Sequence, residues 1–76
     1  MTTPNNNELI KTYKENQDLI KALEESNDLG PQYAQIIAYT NHIKWLLTDA
    51  LDDAFRARDE LQYNAIKDAL NYSPKE

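Results

Sequence analysis

Leu51-Asp52-Asp53-Ala54-Phe55-Arg56-Ala57-Arg58-Asp59-Glu60-Leu61-Gln62-Tyr63 is the stretch on which the fold turns. The apolar residues running into it, Leu47, Ala50, Leu51 and Ala54, recur at helical spacing, and that spacing stops at Arg58. Asp59 is a strong N-cap residue, because its carboxylate can accept a hydrogen bond from an unpaired N–H of a new first turn. Gln62, three residues on, completes a capping-box pattern. Arg58 places a cation at the negative end of the preceding helix dipole. Asp52 and Arg56 stand at i,i+4, and Ala54 is small where two helices would approach closely. The stretch therefore predicts one helix ending, a tight corner, and a second helix beginning.

Working upstream, the helix that ends here is expected over 31–57. Its stripe is Tyr33, Ile36, Ile37, Thr40, Ile43, Leu47, Ala50, Leu51 and Ala54, with Tyr39, Leu46 and Phe55 as a second apolar edge. At ~1.5 Å per residue it would be ~40 Å long. A single shorter neighbour cannot cover so wide a face, so the helix beyond the corner is expected to cover its far end. Before it, Gly30-Pro31 marks a break placed at 29–31, with Gly just past a helix end and Pro opening the next helix. A first helix is expected over 7–28, carrying Leu9, Ile10, Tyr13, Leu19, Ile20 and Leu23 on one stripe that Asn16 and Asn27 interrupt. Its other face holds Lys11–Glu15, Lys14–Asp18 and Lys21–Glu25, pairs that serve solubility more than stability. A third, short helix is expected over 60–72, with Leu61, Tyr63, Ala65, Ile66, Ala69, Leu70 and Tyr72 as its apolar residues. Valine is absent and no alternating run suggests a strand. The expected fold is all-α: a three-helix hairpin or bundle with two long helices and a short third. The helical domain spans 7–72, with a disordered leader at 1–6 and a disordered tail at 73–76.

Composition narrows the function classes. The chain has 76 residues, a net charge of −5 and no cysteine. That is one domain with a limited core and no disulfide staple. The acidic balance lacks the basic face that phosphate contacts require, and the third helix offers only Lys67 against Glu60 and Asp68, so no direct nucleic-acid binding is expected. No apolar run is long enough to span a bilayer, and no signal peptide is evident, which gives a cytoplasmic expectation. The one histidine, His42, has no serine beside it in sequence, since Ser26 and Ser73 sit at element ends. It reads as a polar-face helix residue. Asp49 and Asp53 share a helix face, yet no histidine pair supports a metal site, and they read as surface acids. There is no glycine-rich phosphate loop. The reading is of a protein that is not an enzyme and uses no cofactor or metal.

What remains is recognition. Trp45 lies off the main stripe, on a face with Asn41, His42, Asp49 and Asp52. It is expected to cover the edge of the core against the first helix. The alternative is an anchor for a partner, since Trp, Tyr and Arg dominate interface hot spots. Tyr39 is a second such candidate. The corner adds Asp52, Arg56, Arg58 and Asp59, read as a structural turn signature that can also present Arg56, Arg58 and Asp59 to a partner.

The residues Leu51, Asp52, Asp53, Ala54, Phe55, Arg58, Asp59 and Tyr63 resemble the signature of the IDEAL domain, a short helical module of Gram-positive bacterial regulatory proteins and some of their phages. That signature runs roughly Ile-Asp-Glu-Ala-Leu-Asp-x-Arg-Asp-x-x-x-Phe. Arg56 departs from it, standing where the family tends to carry an acid. Leu47 supplies the apolar residue one turn upstream, and the resemblance spans about 43–70. It implies an adaptor or regulator that binds a protein, in a family with links to controlled proteolysis of cell-wall enzymes. The larger family members carry an extra N-terminal domain, and the first helix of this chain has no counterpart in the resemblance.

The expected function is thus a small non-enzymatic regulatory or adaptor protein. The alternative is a phage-encoded acidic inhibitor, conceivably a DNA mimic, of a host DNA-binding or defence protein. A homodimer is also expected, closed through Ile36, Ile43, Leu47 or their neighbours, because the second helix presents so wide an apolar face.

Overall fold

The computed structural model describes residues 6–74, which form three helices, α1 (Asn6–Glu25), α2 (Pro31–Ala57) and α3 (Glu60–Leu70), with no strand among the described residues. α1 and α2 make an antiparallel hairpin, and α3 turns back to pack on both. The all-α arrangement of two long helices and a short third is the one the periodicity predicts.

The core is where the three stripes converge. Tyr13, Ile43, Leu47 and Ile66 form its buried centre, with Leu9, Ile10, Ala50, Leu51 and Leu70 packed around them. Ala54 and Ala69 are buried as well, and their small side chains let α2 and α3 approach closely. Thr40, the buried polar residue of the stripe, satisfies its hydroxyl by donating to the Ile36 carbonyl at 2.6 Å. Ile43 and Leu47 are 1% and 0% exposed within the single chain. Of the residues expected to close a homodimer, these two are therefore enclosed within the single chain and not open to a second copy, while Ile36 is half-buried. α3 covers the face that α1 leaves open.

The first connection differs from its sequence reading. α1 stops at Glu25, three residues before the expected 28. Asn27 takes the left-handed conformation (φ 57°), its N–H bonds the Glu24 carbonyl at 3.1 Å, and the Asp28 N–H reaches back to Leu23 at 2.8 Å. This is a Schellman termination, and Asn tolerates it better than most residues. Gly30, expected to stop the helix, instead sits in extended backbone (φ −85°) as the N-cap of α2, with Pro31 opening the helix.

The ends also differ. Asn6, expected in the leader, is the first residue of α1, while residues 1–5 and 75–76 of the expected leader and tail lie outside the described residues. α3 ends at Leu70, two residues before the expected 72. The chain beyond it is held along α1. The Tyr72 hydroxyl donates to Asp18 at 2.7 Å, the Lys14 ammonium lies 5.7 Å from the centre of the Tyr72 ring, and Lys21 donates to the Pro74 carbonyl at 3.2 Å. No helix among the described residues is long and apolar enough to cross a membrane.

Candidate functional site

The corner between α2 and α3 is built by two residues with different tasks. Arg58 ends α2 by adopting left-handed backbone (φ 58°, ψ 35°). Its N–H bonds the Phe55 carbonyl at 3.2 Å, and the Asp59 N–H reaches the Ala54 carbonyl at 2.9 Å. These are the paired hydrogen bonds of a Schellman motif, in which glycine is the usual occupant of the left-handed position. Asp59 then starts α3, its carboxylate accepting from the Gln62 N–H at 3.2 Å. Only half of the expected capping box forms. The Asp59 N–H is already taken by Ala54, so the Gln62 side chain turns elsewhere and its Oε1 accepts from the Asn6 amide at 3.2 Å. The capping residue thereby ties the start of α1 to the start of α3.

So tight a turn brings Phe55 and Tyr63 together, with ring centroids 6.0 Å apart and planes tilted by 46°. Phe55 stays open to solvent, 68% exposed, while Tyr63 is half-buried. Ala54, Arg58, Asp59 and Glu60 complete a shallow groove of about 230 Å³ around the two rings. The Arg58 side chain has no ion-pair or hydrogen-bond partner among the described residues. Leu61, in the first turn of α3, is 86% exposed.

The seven residues singled out from sequence divide into two groups. Asp52, Arg56, Arg58 and Asp59 lie at or just before the corner, all exposed, and Arg56 pairs with Asp52 at 3.1 Å in the open. Such an exposed pair contributes little to stability. Tyr39, Trp45 and Asp49 lie midway along α2. Asp49 and Asp52 are neighbours one turn apart, but thirteen residues separate Trp45 from Arg58, ~20 Å along a helix, so the structure does not bring Trp45 to the corner. Trp45 also does not cover the core edge. It is 69% exposed, because two helical positions turn it ~200° away from Leu47 and onto the side that neither α1 nor α3 touches. A shallow groove with Asn41, Lys44 and Thr48 lies beside it. His42 is exposed on the same helix, as its polar-face reading expects. Among the described residues no group of three or more His, Asp or Glu side chains converges as a metal site would require.

Sequence reasoning missed the aromatic pair. Periodicity places Phe55 on a second apolar edge of α2 and Tyr63 among the apolar residues of α3, and pairs neither with the other. The corner itself held the signal: a helix restarting immediately after Arg58 faces Tyr63 back toward the last turn of α2.

Two further tyrosines bond carboxylates of α1 away from the corner. Tyr33 donates to Glu24 at 2.7 Å, as Tyr72 does to Asp18. In each case the hydrogen bond to the carboxylate, helped by modest desolvation and the acid's negative charge, raises the phenol above its ordinary value of 10.0.

The chain matches no protein-family model, no curated protein and no solved structure.

Proposed function

We propose that this protein is a small regulatory or adaptor protein that binds a protein partner at the α2–α3 corner. The observation that carries the reading is the solvent-open Phe55 ring, packed against half-buried Tyr63, beside an unpartnered arginine held in left-handed backbone. Large aromatics and arginine are the residue types that concentrate interface energy. Arginine in the left-handed region costs of order 1–2 kcal/mol against glycine, and such local cost is characteristic of positions retained for function. The resemblance of Leu51, Asp52, Asp53, Ala54, Phe55, Arg58, Asp59 and Tyr63 to the IDEAL signature supports the same surface, because Ala54, Phe55, Arg58, Asp59 and Tyr63 of that set line this corner. Trp45 offers a second anchor on the outward side of α2.

The test is affinity capture from the cells that make the protein, comparing the wild type with Phe55→Ser and Trp45→Ser. A partner retained by the wild type and by Trp45→Ser but lost from folded Phe55→Ser supports the corner. Retention by Phe55→Ser refutes it.

The acidic surface carries the second reading, a phosphate-mimicking inhibitor of a DNA-binding protein. Asp49, Asp52 and Asp53 are exposed along α2, and of the three only Asp52 is paired. Salt separates the two. Phosphate mimicry predicts an affinity that falls steeply with ionic strength, whereas a corner anchored on aromatic rings predicts a shallow dependence.

A further inference from the structure

α2 carries a second regular stripe that the fold leaves uncovered. Gln32, Gln35, Tyr39, His42, Leu46, Asp49 and Asp53 follow one another at alternating spacings of three and four, the spacing of a coiled-coil seam. All seven are exposed, and the two large apolar members, Tyr39 and Leu46, are 56% and 38% exposed. The stripe lies apart from the Ile43–Leu47 face that α1 and α3 bury. Because Tyr33 reaches Glu24 across the hairpin, Leu19 of α1, itself 42% exposed, lies roughly level with Tyr39 and widens the apolar strip.

Read from either end, this stripe is complementary to itself. Set antiparallel to a second copy, with a two-fold axis beside His42, it places Tyr39 against Leu46 and Leu46 against Tyr39. It also places the amide-bearing Gln32 and Gln35 opposite the carboxylates of Asp53 and Asp49, where the amides can donate to them. A parallel pairing would instead put Asp49 and Asp53 beside their own copies, and like charges disfavour it. Isologous contact of this kind is what a two-fold dimer requires.

We infer that the protein forms an antiparallel homodimer through the Gln32–Asp53 stripe of α2, centred on His42, with Tyr39 and Leu46 as its apolar core. The partner surface is therefore a second copy of this chain. The inference stands independently of the corner, but it has a consequence there. Arg58 lies sixteen residues from the axis, so the dimer carries its two corner grooves roughly 48 Å apart at ~1.5 Å per residue. A bivalent partner would then engage both.

The chain has no cysteine, so single introduced thiols report the geometry cleanly. Three variants are compared, His42→Cys, Asp53→Cys and Lys67→Cys, each treated with a short bis-maleimide at equal concentration. The inference expects rapid self-crosslinking of His42→Cys alone, since in the antiparallel pair the two Asp53 positions stand roughly 33 Å apart at ~1.5 Å per residue. Sedimentation equilibrium of the wild type is expected to give a dimer, and Leu46→Asp, placed in both copies, should raise its dissociation constant at least ~100-fold while circular dichroism stays helical. A wild type that remains monomeric into the millimolar range overturns the inference. So does crosslinking of Asp53→Cys or Lys67→Cys as fast as His42→Cys, or a dimer indifferent to Leu46→Asp.

Discussion

Replacing Arg58 by glycine should make the protein more stable while removing a side chain that the proposed function assigns to partner binding. Arg58 sits at φ 58° and ψ 35°, where a Cβ crowds the following carbonyl. Relief of that crowding is worth about 1–2 kcal/mol. Glycine returns about 0.5–1 kcal/mol of it as extra unfolded-chain entropy. Loss of the cation from the α2 C-terminus takes back a further few tenths, about 0.3 kcal/mol. A net gain of about 0.5 kcal/mol remains, or roughly 2–4 °C in Tm for a domain of this size. Arg58→Ala is the decisive control, because it removes the same guanidinium but keeps the Cβ. The difference between the Gly and Ala variants isolates the backbone and should approach 1 kcal/mol, read as a shift in urea midpoint at unchanged slope. Far-UV circular dichroism is the appropriate probe, since Trp45 is largely exposed in the folded state and its fluorescence would change little. If Arg58→Gly proves no more stable than Arg58→Ala, the left-handed turn carries no strain and the argument built on it fails.

Two other perturbations follow from the same structure. Asp59→Ala should destabilise by ~1 kcal/mol through loss of the bond to the Gln62 N–H, and Asp59→Asn much less, because Asn also caps; equal thermal melts for the two would show that Asp59 acts through its charge. The Tyr72 phenol is raised above 10.0 in the folded state, so its bond to Asp18 contributes stability that is fully present below pH 10 and is lost as pH climbs through the raised folded value. Tyr72→Phe should therefore flatten the alkaline fall of the unfolding free energy, and a fall unchanged in that variant would remove Tyr72 from the account.

Much of the fold is legible because two of its three boundaries rest on single residues with strong local chemistry. Pro31 and Asp59 open their helices where the sequence places them, and the Leu47 and Ile66 stripes meet as their spacing requires. The first loop departs from its sequence reading because Asn27, whose side chain permits a left-handed turn, ends the helix three residues before Gly30. Periodicity also ranks residues by position on one helix, not by which neighbour arrives. It places Leu46 and Phe55 on a second apolar edge, although α1 and α3 settle on a narrower arc of α2 and leave both exposed; Leu19, on the stripe of α1, is exposed as well. At the candidate site, the corner and its cap were readable from Arg58-Asp59. The aromatic pair follows from that corner only once α3 restarts directly after Arg58, a geometry that helical periodicity alone does not encode.

Amide hydrogen exchange of the protein, alone and with the captured partner, tests the central claim most directly. Binding at the corner predicts new protection over residues 54–63, where the last turn of α2 and the first of α3 meet, and none beyond the free-state level around Asn41 and Trp45. Protection confined to the Trp45 turn, or no change over 54–63, would contradict the assignment of the partner-binding surface to Phe55, Arg58 and Tyr63.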